Sequence, residues 1–60
     1  MFELHAEVQI VNHSEPSCNG KYGEIRKIDI AYDGRTRYYN VYLHDMHQTC
    51  ICTDDELMEG

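Results

Sequence analysis

Residues 23–43 read GEIRKIDIAYDGRTRYYNVYL, two runs of β-branched and aromatic residues on either side of Asp33-Gly34. Asp-Gly between two such runs is a strong hairpin signal, because both central positions of a two-residue turn favour φ > 0. Pairing outward from that turn sets Tyr32 against Arg35, Ile30 against Arg37 and Ile28 against Tyr39. One step further, strict register brings Arg26 opposite Val41 on the buried face. One extra residue at Arg26-Lys27, opposing Asn40, removes the conflict and pairs Ile25 with Val41. The stretch therefore predicts a β-bulge at Arg26-Lys27, with Ile25, Ile28, Tyr39, Val41 and Leu43 facing the core. The alternative is a slipped register with a longer loop.

Upstream, Phe2, Leu4, Ala6, Val8 and Ile10 alternate with Glu3, His5, Glu7 and Gln9, the period of a half-buried strand. Residues 12–23, rich in Asn, Ser, Pro and Gly, form a loop. Downstream, HDMHQ (44–48) is a turn and TCICT (49–53) a short strand. DDELM (54–58) is one helical turn, with Asp54 and Asp55 at its positive end and Leu57 returning to the core. Short strands with one terminal turn describe a small open barrel.

The motifs around these strands resemble the SH3-like barrels that include KOW-type domains. Gly23-Glu24-Ile25-Arg26-Lys27-Ile28 follows their Gly-x-hydrophobic-x-x-hydrophobic pattern, and Tyr39-Asn40-Val41-Tyr42-Leu43 their Tyr-x-Val-x-Leu-like strand. Glu56-Leu57 matches the acidic 3₁₀-like turn that precedes the last strand. The ending is also similar to that of accessory subunits such as the variable subunit of ferredoxin–thioredoxin reductase. The resemblance implies an all-β, five-stranded SH3-like (KOW-like) open barrel spanning 1–60, with a single 3₁₀-like turn before a short last strand. Only Met58, Glu59 and Gly60 follow Leu57, so that strand is either very short or completed by a partner chain.

A chain of 60 residues makes one small domain with little room for an enclosed substrate pocket. The N-terminal run has neither a basic flank nor a long apolar stretch, so neither a signal peptide nor a membrane partner is expected, and the expected compartment is the cytoplasm. Three cysteines, Cys18, Cys50 and Cys52, are an odd number and read as reduced thiols. The net charge of −6 is uneven: −3 over residues 1–20, +2 over 21–40 and −5 over 41–60. Every base (Lys21, Arg26, Lys27, Arg35, Arg37) lies between 21 and 37. The whole molecule repels nucleic acid, while one hairpin offers a basic patch.

His44, His47, Cys50 and Cys52 are the candidate metal ligands by residue type. Zinc needs its donors to converge on one point. Leu43 inward puts His44 outward. With Cys50 and Cys52 packed inward as small hydrophobes, the four residues are split between two faces. With Ile51 inward instead, both thiols join His44 outside. The resemblance favours the thiols inward, and no cofactor is expected. A Cys/His nucleophile from Cys18 with His13, or Cys50 with His47, lacks an orienting group and an oxyanion site.

Tyr38 and Tyr42 share the outward face of one strand, opposite Asp29 and Glu24. There they either cover the sheet or anchor a protein partner, a base or a cation. The expectation is a non-enzymatic protein-interaction module, a small acidic accessory or regulatory protein, phage-encoded among the alternatives. Its partner-binding residues are Tyr38, Tyr42, Arg35, Arg37, Asp54 and Asp55. The alternatives are a KOW-like nucleic-acid, ribosome or transcription-complex contact through the 21–37 bases, and a small metal-binding domain using the 44–52 cluster.

Overall fold

The computed structural model describes residues 2–60. It is all-β, with five strands in chain order: β1 (Glu7–Ile10), β2 (Tyr22–Ile30), β3 (Arg37–Leu43), β4 (Gln48–Cys52) and β5 (Leu57–Glu59). They form one antiparallel sheet in the order β4-β3-β2-β1-β5, whose two edge strands are not joined. No described helix is long and apolar enough to cross a membrane.

The β2–β3 hairpin sets the frame. Ile30 faces Arg37, Ile28 faces Tyr39 and Ile25 faces Val41, with the register shift between Ile25 and Lys27 and with Lys27 opposite Asn40. The bulge keeps Arg26 outside, because in unbroken register its guanidinium would be buried unpaired. Ile25, Tyr39, Val41 and Leu43 are buried beside Val8, Ile10, Cys18, Cys52 and Leu57, and Ile28 packs half-buried against them. Gly23 lies where β2 passes between β1 and β3, opposite Val8 on one side and Leu43 on the other.

Three expectations need correction. The turn is a four-residue loop: the Ala31 N–H donates to Thr36 O (2.9 Å), the Gly34 N–H donates to Ala31 O (3.0 Å), and of the two central residues only Gly34 has positive φ (71°). Tyr32 and Arg35 are thus loop residues and not a ladder pair, although the register is the expected one. The cause is the Asp33 carboxylate, which accepts the N–H groups of Arg35 (2.8 Å) and Thr36 (2.9 Å) and the Thr36 hydroxyl (2.8 Å).

The first strand is shorter than its alternation implies. His5 sits at φ 71° and the Ala6 N–H donates to Glu3 O (3.1 Å), so the chain turns before Glu7 and leaves Leu4 half exposed. Finally, there are two 3₁₀ turns among the described residues, Pro16–Cys18 as well as Asp54–Glu56. The first forms because Pro16 presets φ at the head of the turn; its Cys18 plugs the core under the loop.

The last strand is three residues long and pairs with β1, Ile10 opposite Leu57 and Val8 opposite Glu59. A capping box introduces it: the Thr53 N–H donates to Glu56 Oε1 at 2.8 Å, and the Thr53 side chain accepts from the Glu56 backbone.

Candidate functional site

Beyond the core, β2 and β3 continue as an arm. Ile30 points to the core side of the sheet but lies past its end, 55% exposed, with Arg37 opposite it. Tyr32 stands fully in solvent at the tip, next to the exposed Arg35. Neither Arg35 nor Arg37 forms an ion pair among the described residues. Asp33, in the same loop as Arg35, is occupied there, and the hydrogen bonds from Thr36 and Arg35 hold its carboxyl below the usual value. Tyr38 is on the opposite face of the arm, across from Asp29, and is 39% exposed.

Tyr42 shares Tyr38's face but is held inside a network. The Arg26 guanidinium lies 4.0 Å over its ring, and its hydroxyl and His47 Nδ1 share a 2.9 Å hydrogen bond. Around it, His5 Nδ1 approaches Glu24 Oε2 at 2.8 Å and His44 Nε2 approaches Glu7 at 3.2 Å. The hydrogen bond from His5, and the Arg26 charge after it, hold the Glu24 carboxyl low. His47 sits at φ 52° and closes the β3–β4 turn, its N–H donating to Leu43 O at 3.0 Å.

The acids of the second 3₁₀ turn are likewise occupied. Asp54 accepts the Tyr39 hydroxyl (2.8 Å), which itself accepts the Phe2 N–H (3.2 Å), and Asp55 accepts the Thr53 hydroxyl. Burial of the Tyr39 ring pushes its phenol above the ordinary value. These acids organise the chain end before they can meet anything else.

The 44–52 cluster divides as the inward-thiol reading expects. Cys52 is fully buried and Cys50 packs half-buried against the core, while Ile51 is 57% exposed. His44 and His47 stand outside in the turn. Burial pushes the Cys52 thiol up to about 12, with Glu56 adding to it. Burial and a hydrogen bond with Cys18 push Cys50 up to about 12 as well. The residue that meets the Cys52 thiol is His13, carried in by the 11–21 loop. Its Nδ1 accepts the Glu15 N–H (2.9 Å) and its Nε2 donates to Ile51 O (3.0 Å). Asn19 clamps the same residue, accepting the His13 N–H at 2.7 Å and donating to its carbonyl at 2.9 Å. A His13 nitrogen, the Cys52 sulfur and a Glu56 oxygen all lie within 4.8 Å of one another. No spacing rule announces this group, since His13 and Cys52 are brought together only by the loop folding back over β4.

A depression of about 420 Å³ lies by β1 and β5, lined by Phe2, Glu3, Ala6, Glu7, Glu59 and Gly60. Its lining supplies carboxylates but neither a thiol, a hydroxyl nor an imidazole. Comparison with protein-family models, curated proteins and solved structures finds no match to this chain.

Proposed function

We propose that this chain is a protein-interaction module built on a small SH3-like (KOW-like) barrel, and that it docks through the projecting β2–β3 arm. The barrel reading is supported by the strand order β4-β3-β2-β1-β5 and by the 3₁₀ turn that leads into the short last strand. The observation that carries the docking reading is the arm itself. Past the end of the core it holds Ile30 and Tyr32 in solvent beside Arg35 and Arg37, with Tyr38 on its other face.

Tyrosine buries a large area with few rotors, arginine offers a planar fork of donors, and both are enriched in binding hot spots. An arm that ends in two guanidinium groups without an ion pair among the described residues suits an acidic partner surface. The rest of the molecule is strongly negative and turns that arm toward such a partner during encounter. Tyr42, Asp54 and Asp55 contribute less directly, because each already holds an internal partner.

The test is a comparison of wild type with a Tyr32→Ala/Arg35→Glu/Arg37→Glu variant, each immobilised and exposed to host extract, with bound species identified by mass spectrometry. A defined protein retained by wild type and lost by the variant is the expected result. RNA or DNA binding with a steep salt dependence, abolished by the same variant, would replace this reading with the nucleic-acid one. Retention of the same partner by both forms would remove the arm from the interface.

A further inference from the structure

We propose that His13, Cys52 and Glu56 form a binding site for a divalent cation of the zinc class. They come from the 11–21 loop, the end of β4 and the second 3₁₀ turn, and their nitrogen, sulfur and oxygen atoms already lie within 4.8 Å of one another. A thiolate, an imidazole and one carboxylate form a borderline-soft donor set that suits zinc and disfavours magnesium or calcium.

The hydrogen bonds around His13 determine how it would bind. A carbonyl only accepts, so the nitrogen facing Ile51 O carries the proton; a backbone N–H only donates, so Nδ1, facing Glu15, carries the lone pair. A metal-binding imidazole commonly donates its other N–H to a carbonyl, and the bond to Ile51 O is already of that kind. Binding through Nδ1 keeps that bond and exchanges only the one from the exposed Glu15 N–H for a metal–nitrogen bond. Glu56 uses Oε1 in its capping box and keeps its second oxygen for the metal. Cys52 binds as thiolate and releases its proton to solvent. A water takes the fourth position from the side where His13 and Glu56 are only half-buried. His44 and His47, on the outer turn, are not part of the site.

The site ties together the loop and both ends of the β4–β5 connection, which in so small a domain adds stability directly. The test is titration of the reduced, chelator-stripped full chain with Co²⁺ and then Zn²⁺. Ligand-field and thiolate charge-transfer absorption would be read alongside the melting temperature. The expected result is one Co²⁺ per chain with a thiolate charge-transfer band, displaced by Zn²⁺, and a higher melting temperature on loading. His13→Gln, a loop substitution, should weaken binding at least tenfold, as should Glu56→Gln, with the apo fold of each checked by circular dichroism. A His44→Ala/His47→Ala variant should bind as wild type does. Absence of the charge-transfer band at stoichiometric Co²⁺ overturns the proposal. So does affinity unchanged by His13→Gln, or binding lost in the His44/His47 variant. None of these readouts involves the β2–β3 arm.

Discussion

Gly23→Ala is the most demanding test of how closely β2 and β3 approach. A methyl group at this position would run into the carbonyl oxygen of Tyr42 and stand 2.7 Å from Val41 Cγ1, where ordinary contact begins at 3.4 Å. The oxygen is backbone and cannot rotate away, so β2 and β3 must part beside the Gly23–Leu43 pair until both contacts are relieved. Overpacking of this kind costs about 1–3 kcal/mol. Lengthening one or two neighbouring ladder bonds adds about 1 kcal/mol each. A loss of about 3 kcal/mol is comparable to the whole stability expected of a domain this size, about 3–9 kcal/mol. With about 4–8 °C per kcal/mol for a short chain, the melting temperature should fall by more than about 10 °C. Urea and thermal unfolding followed by far-ultraviolet circular dichroism would measure it. A Gly23→Ala protein melting within about 2 °C of wild type would refute the close approach of β2 and β3.

Other substitutions probe separate parts of the argument. Tyr39→Phe keeps the buried ring but loses the bonds to Asp54 and from the Phe2 N–H; it should cost about 1 kcal/mol, read as a shift in urea midpoint with unchanged slope. Ile51→Asn should leave the melting temperature nearly unchanged, whereas Cys52→Asn should cost more than about 2 kcal/mol by burying an unpartnered amide; equal effects would invert the assigned faces of β4. Asp33 titrates below the 3.8 of a free carboxyl, so its stabilising effect is complete above pH 3.8 and disappears as the pH falls through its folded value. Asp33→Asn should therefore flatten the acid limb of stability below pH 3.8, and parallel limbs for the two proteins in urea titrations across that range would count against the loop geometry.

The register of the central hairpin was legible because a mistake there has a large penalty. A guanidinium in the core is costly enough that Arg26, brought opposite Val41 by counting outward from Asp33-Gly34, betrayed the bulge. The turn itself was not legible. Asp-Gly signals a reversal, but the carboxylate of Asp33 can bond forward to Thr36, and that choice between local bonds leaves no periodicity to read. Alternation found the faces of the first segment but not where its ladder stops, because Leu4 obeys the pattern while His5 turns the chain. In β4 the small size of Cys50 and Cys52 and the exposure of Ile51 go against a simple hydrophobicity count; alternation from β3 left both phases open across the 44–47 turn, and only the resemblance favoured the thiols inward. The His13–Cys52–Glu56 group was invisible because it depends on the path of the 11–21 loop, and a loop's path is fixed by bonds such as those of Asn19 rather than by any repeat.

The pairing of β1 with β5 has a consequence for synthesis. β2, β3 and β4 are joined by short turns and can associate as soon as they are made. The second edge of β1 must wait for Leu57, which follows Ile10 by most of the chain. At the roughly 5–20 residues per second of translation, that edge stays open for several seconds on a ribosome-bound chain. An open edge invites pairing with another nascent chain. Glu7 within β1 places a negative charge on that strand, and on any second copy of it. A charge on the waiting edge disfavours its pairing with a second copy of the strand.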